Sequence, residues 1–202
     1  MTASDRRNTV VVAGHRGDVA TVERHLDDPD DGVRAAALGA LDRSGALTDE
    51  RVRSALADDA ADVRRRAVEV AATRPRIDLL PALADDDPTV VEVAAWACGE
   101  RNAVADDVLD RLVELTTEAP EPLVREASAA ALGALGDARG LPAVLAACGD
   151  KPHVRRRAVL ALAPFEGDEV EAAIDRALED RDWQVRQAAE DLRRAATGIE
   201  LD

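Results

Sequence analysis

Asp27-Asp28-Pro29-Asp30-Asp31-Gly32-Val33-Arg34-Ala35-Ala36-Ala37-Leu38-Gly39 reads as an acidic turn that runs straight into a helix. The aspartates and Pro29 favour a turn and supply side-chain oxygens for N-capping. From Val33 onward the apolar residues fall at offsets 0, 3, 4, 7 and 8, at Val33, Ala36, Ala37, Ala40 and Leu41. That spacing is one stripe of an α-helix.

The same phrase recurs along the whole chain. Its anchoring valines are Val33, Val63, Val90, Val124, Val154 and Val185, separated by 30, 27, 34, 30 and 31 residues. An arginine follows the valine in five copies, as Arg34, Arg64, Arg125, Arg155 and Arg186, with Val91 in the remaining one. Leu26, Leu56, Leu83 and Leu178 each stand seven residues before their valine, and Pro88, Pro122 and Pro152 stand two before it. Three registers kept together mark an internal repeat. A proline two residues before the valine suits the first turn of a helix, where no intrahelical amide bond is lost.

A shorter amphipathic segment precedes each acidic phrase: 19–26, 51–56, 77–83, 104–115, 141–147 and 170–178. Each repeat is therefore expected to be two antiparallel helices joined by an acidic turn. Helix pairs of this size cannot bury their stripes alone and must stack on their neighbours. The expected fold is all-α: an α-solenoid, a right-handed superhelix of about six helix pairs forming one domain over 1–202. The expected repeats are 17–45, 46–74, 75–102, 103–137, 138–166 and 167–198, with 1–16 as an N-terminal capping helix.

Composition agrees. Alanine supplies 42 of the 202 residues, Phe165, Trp96 and Trp183 are the aromatics, and tyrosine is absent. Alanine is the best helix former, whereas sheets favour aromatic and β-branched side chains. With 26 basic against 41 acidic residues the net charge is −15, which repels phosphate backbones and anionic lipid at long range, so nucleic acid is disfavoured as a partner. No apolar run approaches the roughly 18 residues of a membrane span, and residues 1–14 lack the pattern of a signal peptide, so the expected location is the cytoplasm. Cys98 and Cys148 lie fifty positions apart and are expected to be reduced core residues.

The repeated phrases, in particular 27–39 and Val90-Val91-Glu92-Val93-Ala94-Ala95-Trp96-Ala97-Cys98-Gly99-Glu100, resemble the HEAT repeat family and its short phycobilisome-lyase-like subclass. The resemblance covers nearly the whole chain. It implies a ladder of Asp–Arg pairs between stacked repeats, in which Arg34, Arg64, Arg125, Arg155 and Arg186 are structural. It also implies that the second helix of each pair lines a concave side. For function it implies scaffolds, adaptors and a few enzymes, so the site must be argued from residues.

The enzyme readings find little support in the residues. Deoxyhypusine hydroxylase, which resembles this architecture, holds iron with repeated His-Glu pairs, whereas here the histidines read His15-Arg16, His25-Leu26 and His153-Val154. HEAT-like DNA glycosylases need a basic groove with aromatics, and the net charge opposes one. No catalytic residue of a bilin lyase is identifiable, and no metal or cofactor is expected. The acidic turns lack the glycine-containing twelve-residue spacing of a calcium loop.

A binding face is expected from helix geometry. At 100° per residue, positions two, five and nine after the valine point away from the stripe and position six lies on its flank. This selects Leu38, Val68 and Val159 at position five and Trp96 and Leu160 at position six, flanked by Arg65, Glu92 and Arg156 at position two. Trp96 can also be read as packing between repeats, and Trp183 as an end-capping residue. Arg64-Arg65-Arg66 and Arg155-Arg156-Arg157 read as solvated faces, with a local patch for anions or an acidic peptide as the sharper alternative. The expected function is a non-enzymatic, monomeric scaffold or adaptor that binds another protein or peptide on its concave helix face. The alternatives are a bilin lyase-like tetrapyrrole-handling protein and a purely structural spacer.

Overall fold

A computed structural model describes residues 1–197. Among these residues the secondary structure consists of twelve α-helices and two 3-10 turns, without strands. The long helices are α1 (Ala3–Arg16), α3 (Asp31–Arg43), α5 (Ala61–Ala71), α6 (Pro88–Gly99), α8 (Pro122–Leu135), α10 (Pro152–Ala161) and α12 (Trp183–Thr197). Between them lie α2 (Val19–Glu23), α4 (Asp49–Leu56), α7 (Asp106–Glu118), α9 (Leu141–Ala147) and α11 (Asp168–Leu178). Pro88, Pro122 and Pro152 begin α6, α8 and α10, as their missing amide hydrogens require.

The third repeat departs from the expected pair. Its first element, expected over 77–83, is an irregular segment ending in a 3-10 turn at Ala82–Ala84. Pro75 and Pro81 interrupt the stretch; the Pro81 ring offers no amide hydrogen to an intrahelical bond and disfavours helical backbone at Leu80 before it. Ile77, Leu79 and Leu83 are nevertheless fully buried, so the segment covers its long helix without being one.

By their contacts the residues group into two units, Met1–Ala97 and the residues from Cys98 onward. In the first unit α1 packs on α3 and α3 on α5, with α2 and α4 as a second layer. In the second, α8 packs on α10 and α10 on α12, backed by α7, α9 and α11.

Neighbouring long helices approach closely through small residues. A Cβ added at Gly14 would lie 2.8 Å from Ala40 Cβ, and one at Gly133 would lie 2.6 Å from both Cα and Cβ of Ala161. Within each unit a long helix such as α3 or α10 thus touches a shorter helix on one side and a neighbouring long helix on another. Its buried arc is therefore wider than a single stripe, and this overturns part of the expected face. Position five is core: Leu38, Val68 and Val159 are buried, as are Ala95 and Ala129.

Candidate functional site

Arginines and acidic turns organise the edge of each unit. In the first, Arg34 donates from Nε and Nη2 to both Asp58 carboxylate oxygens at 2.8 and 2.7 Å, and from Nη1 to the Asp28 carbonyl at 2.8 Å. Arg64 repeats this on Asp85 at 2.7 and 2.8 Å and on the Asp58 carbonyl at 2.9 Å. In the second unit Arg125 grips Asp150 at 2.5 and 2.9 Å, and Arg155 grips Asp180 at 2.8 and 2.7 Å. Each arginine closes its own turn through a carbonyl and holds the next turn through a bidentate carboxylate.

The aspartate does double duty. Its Oδ1 also accepts a backbone N–H one or two residues on, as Asp58 does from Ala60 at 2.9 Å, Asp180 from Asp182 at 2.8 Å and Asp150 from Lys151 at 2.6 Å. The same residue therefore shapes the turn and receives the rung. Arg6 opens the series in the first unit, gripping Asp28 at 2.7 and 2.8 Å. Sequence reading missed it because the valine before it is replaced by Asp5; its spacing of 28 residues from Arg34 is the signal that would have found it. Among the described residues Arg186 reaches only its own turn, at the Asp180 carbonyl at 2.7 Å. The Arg6 bonds, reinforced by the Asp30 N–H and opposed by burial, hold the Asp28 carboxyl down to about 2.

With position five buried, the open face of the long helices consists of positions two, three and six. Trp96 and Leu160, both at position six, are exposed, at 46% and 36%. Arg65, Glu92 and Arg156, at position two, are half-buried. Trp96 and Glu92 belong to the first unit and Arg156 and Leu160 to the second. Trp183, expected to pack at the end of the stack, is instead 64% exposed at the first residue of α12. Trp183 stands two residues before the anchoring valine, in the place that Pro88, Pro122 and Pro152 hold, and Val185 takes the buried place.

Within the first unit the open face is hollowed into a groove of about 300 Å³ across α1, α3 and α5. Its floor is Gly32, Ala35 and Ala36 on α3, and four guanidinium groups stand around it: Arg7, Arg43, Arg65 and Arg66. The glycines make room for them. A Cβ on Gly32 would lie 3.9 Å from Arg7 Nη1, and one on Gly39 would lie 3.4 Å from both Arg43 Nη1 and Arg66 Nε. Arg66 meets Glu69 at 2.6 Å, while Arg65 meets Glu69 at 3.3 Å and Asp62 at 3.4 Å.

Among the described residues no three His, Cys, Asp or Glu side chains gather as metal ligands. His25 Nδ1 lies 2.9 Å from the Thr21 carbonyl oxygen, and His15 and His153 are exposed. Cys98 is buried, and burial, partly offset by Arg176, pushes the Cys148 thiol up to about 11. Among the described residues no helix is long and apolar enough to cross a membrane.

Residues 77–163 match the family model for HEAT repeats. No curated protein matches the sequence. Among solved structures, a designed armadillo repeat protein in complex with the peptide (KR)4 is similar with a TM-score of 0.61 and 18% identity, covering 86% of this chain and 97% of that one. An engineered protein gives 0.63 and 19%, covering 90% and 99%. Human deoxyhypusine hydroxylase gives 0.50 and 18%, covering 98% and 81%. These likenesses establish the α-solenoid fold. The finer likeness to the phycobilisome-lyase-like subclass rests on the sequence phrases alone.

Proposed function

With residues 77–163 identified as HEAT repeats, we propose that the chain is a non-enzymatic protein-interaction module whose long-helix face takes up a segment of another protein. Solenoids of stacked helix pairs offer extended surfaces of this kind. One observation carries the reading: position six, which the fold leaves open, holds Trp96 in the first unit and Leu160 in the second, both exposed. Both tryptophans of this aromatic-poor chain are exposed, Trp183 at the first residue of α12 and Trp96 at position six of α6, and exposed tryptophan is a common binding anchor. Position two adds half-buried charged residues that can select charge, Arg65 and Glu92 in the first unit and Arg156 in the second.

The test is affinity capture from the native host with the wild-type chain, then with Trp96→Ala and Leu160→Ala made separately. Loss of a captured protein by either variant, with helical circular dichroism unchanged, supports the reading. Capture that is indifferent to both removes this face from consideration, and the spacer alternative then gains.

A further inference from the structure

The groove of the first unit has a chemistry of its own. Four guanidinium groups against the two carboxylates Asp62 and Glu69 leave two positive charges, in a chain whose net charge is −15. Arg65 and Arg66 share those carboxylates, whereas Arg7 and Arg43 meet no carboxylate among the described residues. Neither of these two serves the ladder. The small floor of Gly32, Ala35 and Ala36 places the guanidinium groups around a depression instead of a flat surface.

The geometry points to a binding site for an acidic peptide segment of a partner protein, its carboxylates received by Arg7 and Arg43 and its backbone lying on the small-residue floor of α3. Arginine forks match carboxylates bidentately. Charge spacing favours a peptide over nucleic acid. Asp62 and Glu69 interrupt the positive field, and a continuous phosphate backbone would run against them, while an extended peptide can place its acidic side chains between them. The overall charge of the chain opposes a dense polyanion further. This inference rests on the peptide-binding reading above and adds the partner's charge and the place where it docks.

Panning a random dodecapeptide display library on the full chain tests it, with the selected peptides measured again on Arg7→Gln/Arg43→Gln and on Ala36→Trp. Both arginines are exposed and lie outside the ladder, and Ala36 is only half-buried, so these variants should keep the fold, which circular dichroism checks. The expected result is enrichment of Asp and Glu among the selected peptides, at least tenfold weaker binding to the double variant, and loss of binding when tryptophan fills the floor. Peptides that bind without acidic enrichment, or that resemble (Lys-Arg) repeats, overturn the acidic site and leave the peptide-binding reading standing. Acidic peptides indifferent to all three substitutions do the same. A library that yields no binder at all overturns both.

Discussion

Gly133 shows how much of the packing turns on single atoms. A methyl group there would meet Cα, Cβ and the carbonyl oxygen of Ala161 at 2.6 to 2.8 Å, and two of those are backbone atoms that cannot swing aside. Gly133→Ala, which helix propensity alone would favour, is therefore expected to destabilise the protein by about 2 kcal/mol, the usual scale of overpacking, as read from a lowered urea midpoint. Ser128 runs the other way. It fills the buried place that Ala37, Ala67, Ala94 and Ala158 hold in other long helices, and its Oγ has no hydrogen-bond partner. Ser128→Ala should raise stability by about 1 kcal/mol, since it removes a desolvated hydroxyl and leaves the volume nearly unchanged. The sequence announced neither effect. A periodic pattern tells which residues are apolar but not which backbone lies opposite, and this is also why Leu38, Val68 and Val159 read as surface when they are core.

The turn and the long helix after it form the element that the sequence disclosed best. Proline at the first helical position, aspartate as capping and turn residue, and arginine one residue past the anchoring valine are local chemistry, so their spacing survives in a single chain. The first element of the third repeat reads from its apolar pattern as a helix and is not one, because Pro75 and Pro81 decide its form while Ile77 and Leu83 decide its place. The rung itself yields two predictions. Arg155 is buried, and its removal would leave the half-buried Asp180 carboxylate without its opposite charge, holding only the Asp182 N–H, so Arg155→Ala should lower stability by about 3 kcal/mol in denaturant titration. Replacing both partners by apolar residues of similar size should cost clearly less. The second prediction concerns acid. Bonds from Arg6 hold the Asp28 carboxyl down to about 2. Asp85, Asp150 and Asp180 are lowered by Arg64, Arg125 and Arg155, and Asp58 is lowered because its Arg34 and Ala60 bonds outweigh the opposing effect of burial. Carboxyls that titrate lower in the folded chain than in the unfolded one contribute stability that is complete above about pH 4 and fades as pH falls toward about 2. Thermal melts should be flat down to about pH 4 and drop below it, with the drop reduced in Asp28→Asn.

At the scale of the molecule the rungs among the described residues form two series and not one. Arg6, Arg34 and Arg64 make rungs inside the first unit, and Arg125 and Arg155 inside the second. Val91 stands where α6 would carry its arginine. Ala119, five residues before Val124, stands where Asp28, Asp58, Asp85 and Asp180 stand before their valines. Both members of one rung are thus apolar at once, and the change falls close to the boundary that the contacts place between Ala97 and Cys98. The sequence showed the missing arginine as an irregularity of the repeat. Its meaning needed the partner aspartates, which lie 21 to 25 residues away at spacings that vary with each turn. In a stacked array stability is carried by nearest-neighbour terms, so losing a rung should loosen the repeats that share it and spare distant ones. Hydrogen exchange followed by mass spectrometry can resolve this. Arg34→Ala should speed exchange in α3 and α5, and Arg155→Ala in α10 and α12, by up to about a hundredfold for a loss of about 3 kcal/mol. In each case the other unit should keep its wild-type rates. Acceleration spread evenly over residues 1–197 would mean that the chain opens as one cooperative block, and that the two rung series share one unfolding unit in spite of the apolar pair between them.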